Sequence, residues 1–268
     1  MKSFLRDRKS DREFKHKSMS GNLLDEIRLY LNTLEKEEGN GNIRFKLYEY
    51  GEKLYTSLEG IGGYSGVMIE SPHYVALEIM NNQEKSIIYS AYYMEKLITE
   101  LNNKGIDTCW VSIEDVDKNL KLEVFGDTVG EFNYLLAIGY GKSKNPFLNE
   151  PFSERVGVDE LVYNNEIGNP INIEDLENRG LGDLFYHIRF APSALNKQPW
   201  RFILQKDSVV LLLKYNKEEV PNLMDAGIIM YYFESLAEAV GLSNKWTLID
   251  GIFTDGEYNY KYIAEYKL

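Results

Sequence analysis

Apolar positions along the chain fall into two kinds of pattern. Leu24, Ile27, Leu31 and Leu34 recur at helical spacing behind Ser20-Gly21-Asn22, which predicts a helix over 23–36, stopped by the Gly-Asn-rich stretch 38–42. Longer apolar helices are predicted over 86–103 and 224–240, and a shorter one over 181–190 ahead of Pro192. Alternating or continuous apolar runs predict strands over 74–80, 108–113 and 135–140. The segments 44–50 and 53–58 read as a hairpin turning at Gly51-Glu52, and 201–205 with 209–215 as a second hairpin. Strands over 246–253 and 258–266 finish the chain, while 60–66 is a glycine-rich loop and 142–171 is read as irregular.

This order repeats. Tyr92-Tyr93-Met94-Glu95-Lys96-Leu97 returns as Tyr231-Tyr232-Phe233-Glu234-Ser235-Leu236, each inside a long helix. Each helix ends in glycine plus an apolar residue and is followed by a tryptophan: Gly105-Ile106 then Trp110, and Gly241-Leu242 then Trp246. Upstream, Arg44-Phe45 and Arg201-Phe202 open the two hairpins. The pattern predicts a duplicated α+β unit, with halves at 1–150 and 151–268.

Composition narrows the function classes. The 268 residues carry a net charge of −12, which excludes the broad basic face needed by a nucleic-acid or membrane-surface binder. One cysteine, Cys109, excludes a disulfide framework and a Cys-rich metal site. The absence of an apolar spanning run, and of an apolar core in the first residues, points to a cytoplasmic protein. The charge is uneven: seven Lys/Arg and three acids fall in the first twenty residues. Such a head is either a solvated tail or a local anion site. The 20 tyrosines are numerous enough to serve both a core and a flat ligand.

Several motifs fail on inspection. Leu136 stands where the first glycine of a phosphate loop ending Gly141-Lys142-Ser143 belongs, and Lys144 replaces the last glycine of a dinucleotide fingerprint. Asp115, Asp117 and Asn119 have calcium-loop spacing, but Leu120 fills the glycine position. Two strings survive. Ala191-Pro192-Ser193-Ala194-Leu195-Asn196-Lys197-Gln198-Pro199-Trp200 fixes an irregular loop between a helix and a strand. Its hydroxyl and amides can read a planar heterocycle or satisfy local backbone. Arg8-Lys9-Ser10-Asp11-Arg12-Glu13-Phe14 supplies cations and a hydroxyl suited to a phosphate, with Phe14 as an anchor to the core.

These strings resemble the nitroreductase family: Arg-x-Ser-x-Arg-x-Phe at the opening, and Ala-Pro-Ser-x-x-Asn-x-Gln-Pro-Trp at 191–200. The 105–111 segment is similar to the family's Gly-Thr-Cys-Trp region, with Val111-Ser112 standing where it has Ile-Gly. Ordinary members carry both opening motifs in one unit and dimerise. Here each half keeps the motif the other lacks, as in single-chain, pseudo-dimeric members. The resemblance implies an α+β, three-layer α/β/α fold of two intertwined halves, with mostly antiparallel sheets around long central helices. It also implies a bound FMN lying between the halves, NAD(P)H as electron donor, and a small electron-poor acceptor such as a nitroaromatic or quinone. By the same resemblance Arg8 and Ser10 hold the phosphate, Lys9 follows the ribityl chain, and Arg12 lies near the flavin N1/O2 edge. Pro192, Ser193, Ala194, Asn196 and Gln198 cover the ring, and Arg155, in a partial match to the family's second phosphate segment, joins the phosphate. No catalytic side chain is implied, since the cofactor carries the redox chemistry. A monomer is expected because the usual dimer contact becomes internal. The alternative is an FMN-binding protein without turnover, acting as a sensor, carrier or scaffold.

Overall fold

The computed structural model describes residue 5 and residues 8–143 and 153–268. They form two compact units, Lys9–Glu150 and Met1–Arg8 with Pro151–Leu268.

The Lys9–Glu150 unit opens on a segment tied down by backbone: Asp11 N donates to Thr108 O (3.0 Å) and Lys15 N to Tyr140 O (2.8 Å). Phe14 is 4% exposed within the core cluster, the anchor its motif predicts. The basic head is therefore no frayed tail from residue 11 onward. Helix α1, Gly21–Glu38, starts at Ser20, whose side chain accepts from Leu23 N, and buries Leu24, Ile27, Leu31 and Leu34. It ends at Gly39, where the left-handed backbone (φ 73°) suits glycine. Strand β1, Ile43–Tyr48, follows.

The expected hairpin at Gly51-Glu52 does not form. Gly51–Leu58 is instead a helix, α2, that buries Gly51, Leu54 and Leu58 on one face. Its first residue presses on the chain at 71–72: Gly51 N donates to Pro72 O (2.9 Å), and a Cβ on Gly51 would lie 2.1 Å from Ser71 O. The partner of β1 is β2, His73–Ile79, which is buried at every position. Helix α3, Glu84–Asn103, leads to β3, Asp107–Ser112; helix α4, Lys118–Phe125, leads to β4, Glu131–Gly139. The sheet is antiparallel throughout, in the order β1-β2-β4-β3.

In the other unit, the stretch read as irregular contains a helical turn α5, Val158–Leu161, and a short strand β5, Val162–Asn164. Helices α6, Ile173–Asn178, and α7, Gly182–Ile188, precede strands β6, Trp200–Leu204, and β7, Ser208–Asn216. Here the predicted hairpin does form, closed by Gln205 N donating to Ser208 O (2.9 Å). Helix α8, Leu223–Glu238, is followed by β8, Thr247–Leu248, β9, Ile252–Asp255, and β10, Tyr258–Lys267. The expected strand over 246–253 is broken into two short ones. The sheet order is β5-β6-β7-β10-β8, with β9 also on β10; β5 joins β6 in parallel and the remaining pairs are antiparallel.

With β5 and β9 set aside, the two sheets have the same connectivity: first, second, fourth, third, with the long helix between the second and third strands. The repeated glutamates play parallel parts. Glu95 accepts from Trp110 Nε1 (2.8 Å), and Glu234 accepts from Trp246 N (3.1 Å). Both units are thus α+β with antiparallel-rich sheets.

Candidate functional site

The 191–200 segment is an irregular loop under backbone strain. Leu195, Asn196 and Gln198 all have φ near +50°, in the left-handed region that non-glycine residues enter at a cost of order 1–3 kcal/mol each. Such a conformation persists only when its surroundings hold it, and here they are numerous. Ser193 Oγ accepts from Gln198 N (2.9 Å), and Arg201 Nη1 donates to Gln198 O (3.0 Å). The Gln198 side chain, 5% exposed, accepts from Val156 N (3.0 Å) and donates to Glu154 O (3.1 Å) and Asn196 O (3.2 Å). Asn196 Nδ2 adds a second bond to Glu154 O (3.0 Å). Ser193, Asn196 and Gln198 are therefore committed to bracing the loop, and the exposed residues at its apex include Ala194 and Leu195. On its inner side Ala194 N donates to Asp225 Oδ1 (2.9 Å).

Gln198 and Asn196 fasten the 154–156 strip to the loop, and this places Arg155 beside it. Arg155 Nη1 donates to Ala191 O (2.8 Å). Burial, together with the like charges of Arg8 and Arg189, pushes the Arg155 guanidinium below its ordinary proton affinity. Arg8 and Arg189 thus both stand near enough to Arg155 to act on its charge, within one unit. Arg189 also lies over the rings of Tyr186 and Phe190, at 5.4 and 5.8 Å, and its buried Nε has no hydrogen-bond partner among the described residues. Guanidiniums stay charged at neutral pH and are strong, directional donors to anions such as phosphate. Arg189 was not among the residues singled out from sequence, although it stands two positions before Ala191-Pro192.

Among the sequence-predicted residues, Arg8, Arg155, Pro192, Ser193, Ala194, Asn196 and Gln198 belong to the unit of Pro151–Leu268. Lys9, Ser10 and Arg12 belong to the other, with Lys9 and Arg12 exposed and Ser10 half-buried. The remaining chemistry-bearing residues have structural employment. Asp117, from the calcium-like spacing, caps α4 by accepting from Asn119 N (2.9 Å), and Cys109 is buried. His73 Nε2 accepts from Met19 N (2.9 Å), which requires a neutral ring with its proton on Nδ1, donating to Glu49 O (2.7 Å); burial lowers its pKa. Among the described residues no group of three His, Cys, Asp or Glu is arranged to hold a metal ion. No helix among them is long and apolar enough to cross a membrane.

A family model described as "Putative TM nitroreductase" matches residues 1–237. The chain is similar to the crystal structure of a "putative nitroreductase" from Thermotoga maritima, with 16% identity and a TM-score of 0.59, over 98% of this chain and 92% of that one. At that identity the likeness establishes the fold. An FMN-dependent nitroreductase of Clostridium difficile has 18% identity and a TM-score of 0.46, over 56% of this chain and 92% of its own. A Bacteroides fragilis nitroreductase with bound FMN has 16% identity and a TM-score of 0.46, over 57% and 93%. No curated protein sequence matches the chain.

Proposed function

The chain belongs to the "Putative TM nitroreductase" family, and from that premise we propose that it is an FMN-dependent oxidoreductase taking electrons from NAD(P)H and passing them to a small electron-poor acceptor such as a nitroaromatic or quinone. The observation that carries the reading is the trio Arg8, Arg155 and Arg189, where Arg155 is pressed by two like charges. A phosphate monoester carries close to two negative charges at neutral pH and offers several acceptor oxygens to such a trio. The residues present fit the FMN phosphate on that ground. Beside them, the braced backbone of 192–198 offers a rigid surface for a flat ring. Lys9, Ser10 and Arg12 are proposed as flavin residues on their motif alone.

When bound, FMN supplies the capacity to accept and release hydride, so the protein's work is binding, orientation and electrostatics. The arginines bind the phosphate. Gln198, Asn196 and Ser193 keep the loop in one conformation, which spares flavin binding the entropy of ordering it. We read the matching strand orders of the two units as an internal duplication in which one unit has kept the loop.

Titration of the purified chain with FMN and with riboflavin tests the reading. FMN should bind at least about tenfold more tightly, since a phosphate contact to charged donors contributes roughly 1.5–3 kcal/mol. Arg189→Gln should narrow that preference. A chain that takes up no flavin after FMN addition overturns the reading. Flavin that binds but is never bleached by NADH or NADPH without oxygen favours a binding protein without turnover.

A further inference from the structure

Asp225 is a carboxylic acid in the first turn of α8, 2% exposed, inside a run that is otherwise apolar from Met224 to Phe233. Its Oδ1 accepts from the backbone N–H of Ala194, in the middle of the strained loop. A buried carboxylate is expensive where a neutral asparagine could make the same bond, and buried acids perturbed in this way cluster at functional sites. The duplicated unit supplies a comparison. Counting back from the repeated Tyr-Tyr pairs, Asp225 corresponds to Ser86 in α3. Ser86 is also buried, but its Oγ donates to Asn81 Oδ1 (2.7 Å), a local bond near the start of its own helix. That unit lacks the 191–200 motif and has no acid at the matching helix position.

We propose that Asp225 is a positioning residue for flavin binding, its ionised carboxylate fixing Ala194 N–H and with it the apex of the 192–198 loop. The proposal rests on the FMN reading above. The bond to Ala194 is charge-assisted when Asp225 is ionised and an ordinary neutral one when it is protonated. Burial pushes the Asp225 pKa up to about 7, opposed by the Ala194 N–H and by Lys197. The other charged groups on the elements packed against α8 are Asp183 and His187 on α7 and Arg201 on β6, and burial is the largest cause of the shift. Lys197 is itself paired with Glu219 (3.2 Å). The grip on the loop therefore tightens as pH rises through neutrality.

FMN affinity, measured by quenching of flavin fluorescence from pH 5.5 to 8.5, tests this with the full chain and Asp225→Asn. The FMN phosphate titrates in both proteins, so the informative quantity is the ratio of their dissociation constants. That ratio should be close to one at the acid end and reach roughly fivefold in favour of the wild type above pH 8. Ala194→Pro deletes the N–H that Asp225 grips. In that background Asp225→Asn should produce no further pH-dependent change. A ratio that stays constant with pH, or a loss that persists undiminished in the Ala194→Pro background, overturns the positioning role while leaving FMN binding intact. A wild type that binds no FMN removes the underlying reading as well.

Discussion

The buried carboxylate of Asp225 makes a prediction about the fold itself, independent of any flavin. Its pKa in the folded chain is about 7, against 3.8 when exposed. Between those values the folded protein holds a proton that the unfolded chain has released, so raising pH favours unfolding. Each unit of that interval is worth 1.36 kcal/mol, and the whole of it roughly 4 kcal/mol. This contribution to stability is fully present below about pH 4, is lost progressively up to about pH 7, and is flat above. Asp225→Asn keeps an oxygen to accept from Ala194 N and removes the titration. The amide's own N–H costs about 1–3 kcal/mol if it finds no acceptor, leaving the variant roughly 1–4 kcal/mol more stable than wild type at pH 8. Urea denaturation of the flavin-free proteins at pH 5 and pH 8 reads this out. At a slope of about 2–3 kcal/mol/M, the pH 8 midpoint should rise by up to roughly 1–2 M. A variant whose stability falls with pH in parallel with the wild type would refute the argument, as would one less stable than wild type at pH 8.

Two further expectations concern other residues. Gln198→Ala strands the Val156 N–H and removes one of the two side-chain bonds that hold Glu154 O to the loop, leaving that of Asn196; it should cost about 2–4 kcal/mol in urea denaturation and weaken FMN binding together with stability. Arg12 is proposed, on its motif's resemblance alone, at the N1 edge of the flavin, where it would stabilise the negative charge that reduction leaves. Arg12→Ala should lower the two-electron midpoint potential by roughly 30–60 mV in a spectroelectrochemical titration, and an unchanged potential with FMN bound argues against that assignment.

Elements that bury much of their surface were legible from sequence. Strand β2 is buried at every position and α8 along nearly its whole length, so their apolar runs carried the signal directly. The misread helix α2 has only eight residues, and Lys53 to Leu58 satisfies a strand alternation about as well as a helical one. What decides is tertiary: Leu54 and Leu58 must face the same core, and Gly51 must admit the backbone of Ser71 and Pro72. The overlooked helices α4 and α6 each bury one residue, Phe125 and Leu176, which is too little for a periodicity. Repetition was more legible than any single element. Two weakly matching helices with glycine and tryptophan behind them led to a shared order, and the sheets share a strand order as well.

The candidate site divides along the same physical line. The loop could be recognised as irregular from its prolines, but the use of its amides could not be read, because Gln198 and Asn196 find their partners in the main chain of Glu154 and Val156, far upstream. Arg189 carries no motif signal of its own; its meaning comes from standing near Arg155, a proximity only the fold creates. Asp225 is different. An acid within the run from Met224 to Phe233 contradicts the pattern around it, and that contradiction is visible in the sequence alone. Local rules are broken where a function compensates for the cost. The sequence marks the acid as out of place but not its partner; that this helix makes contact with the proline-bounded loop is a fact of the fold. The bond from Ala194 to Asp225 is that contact.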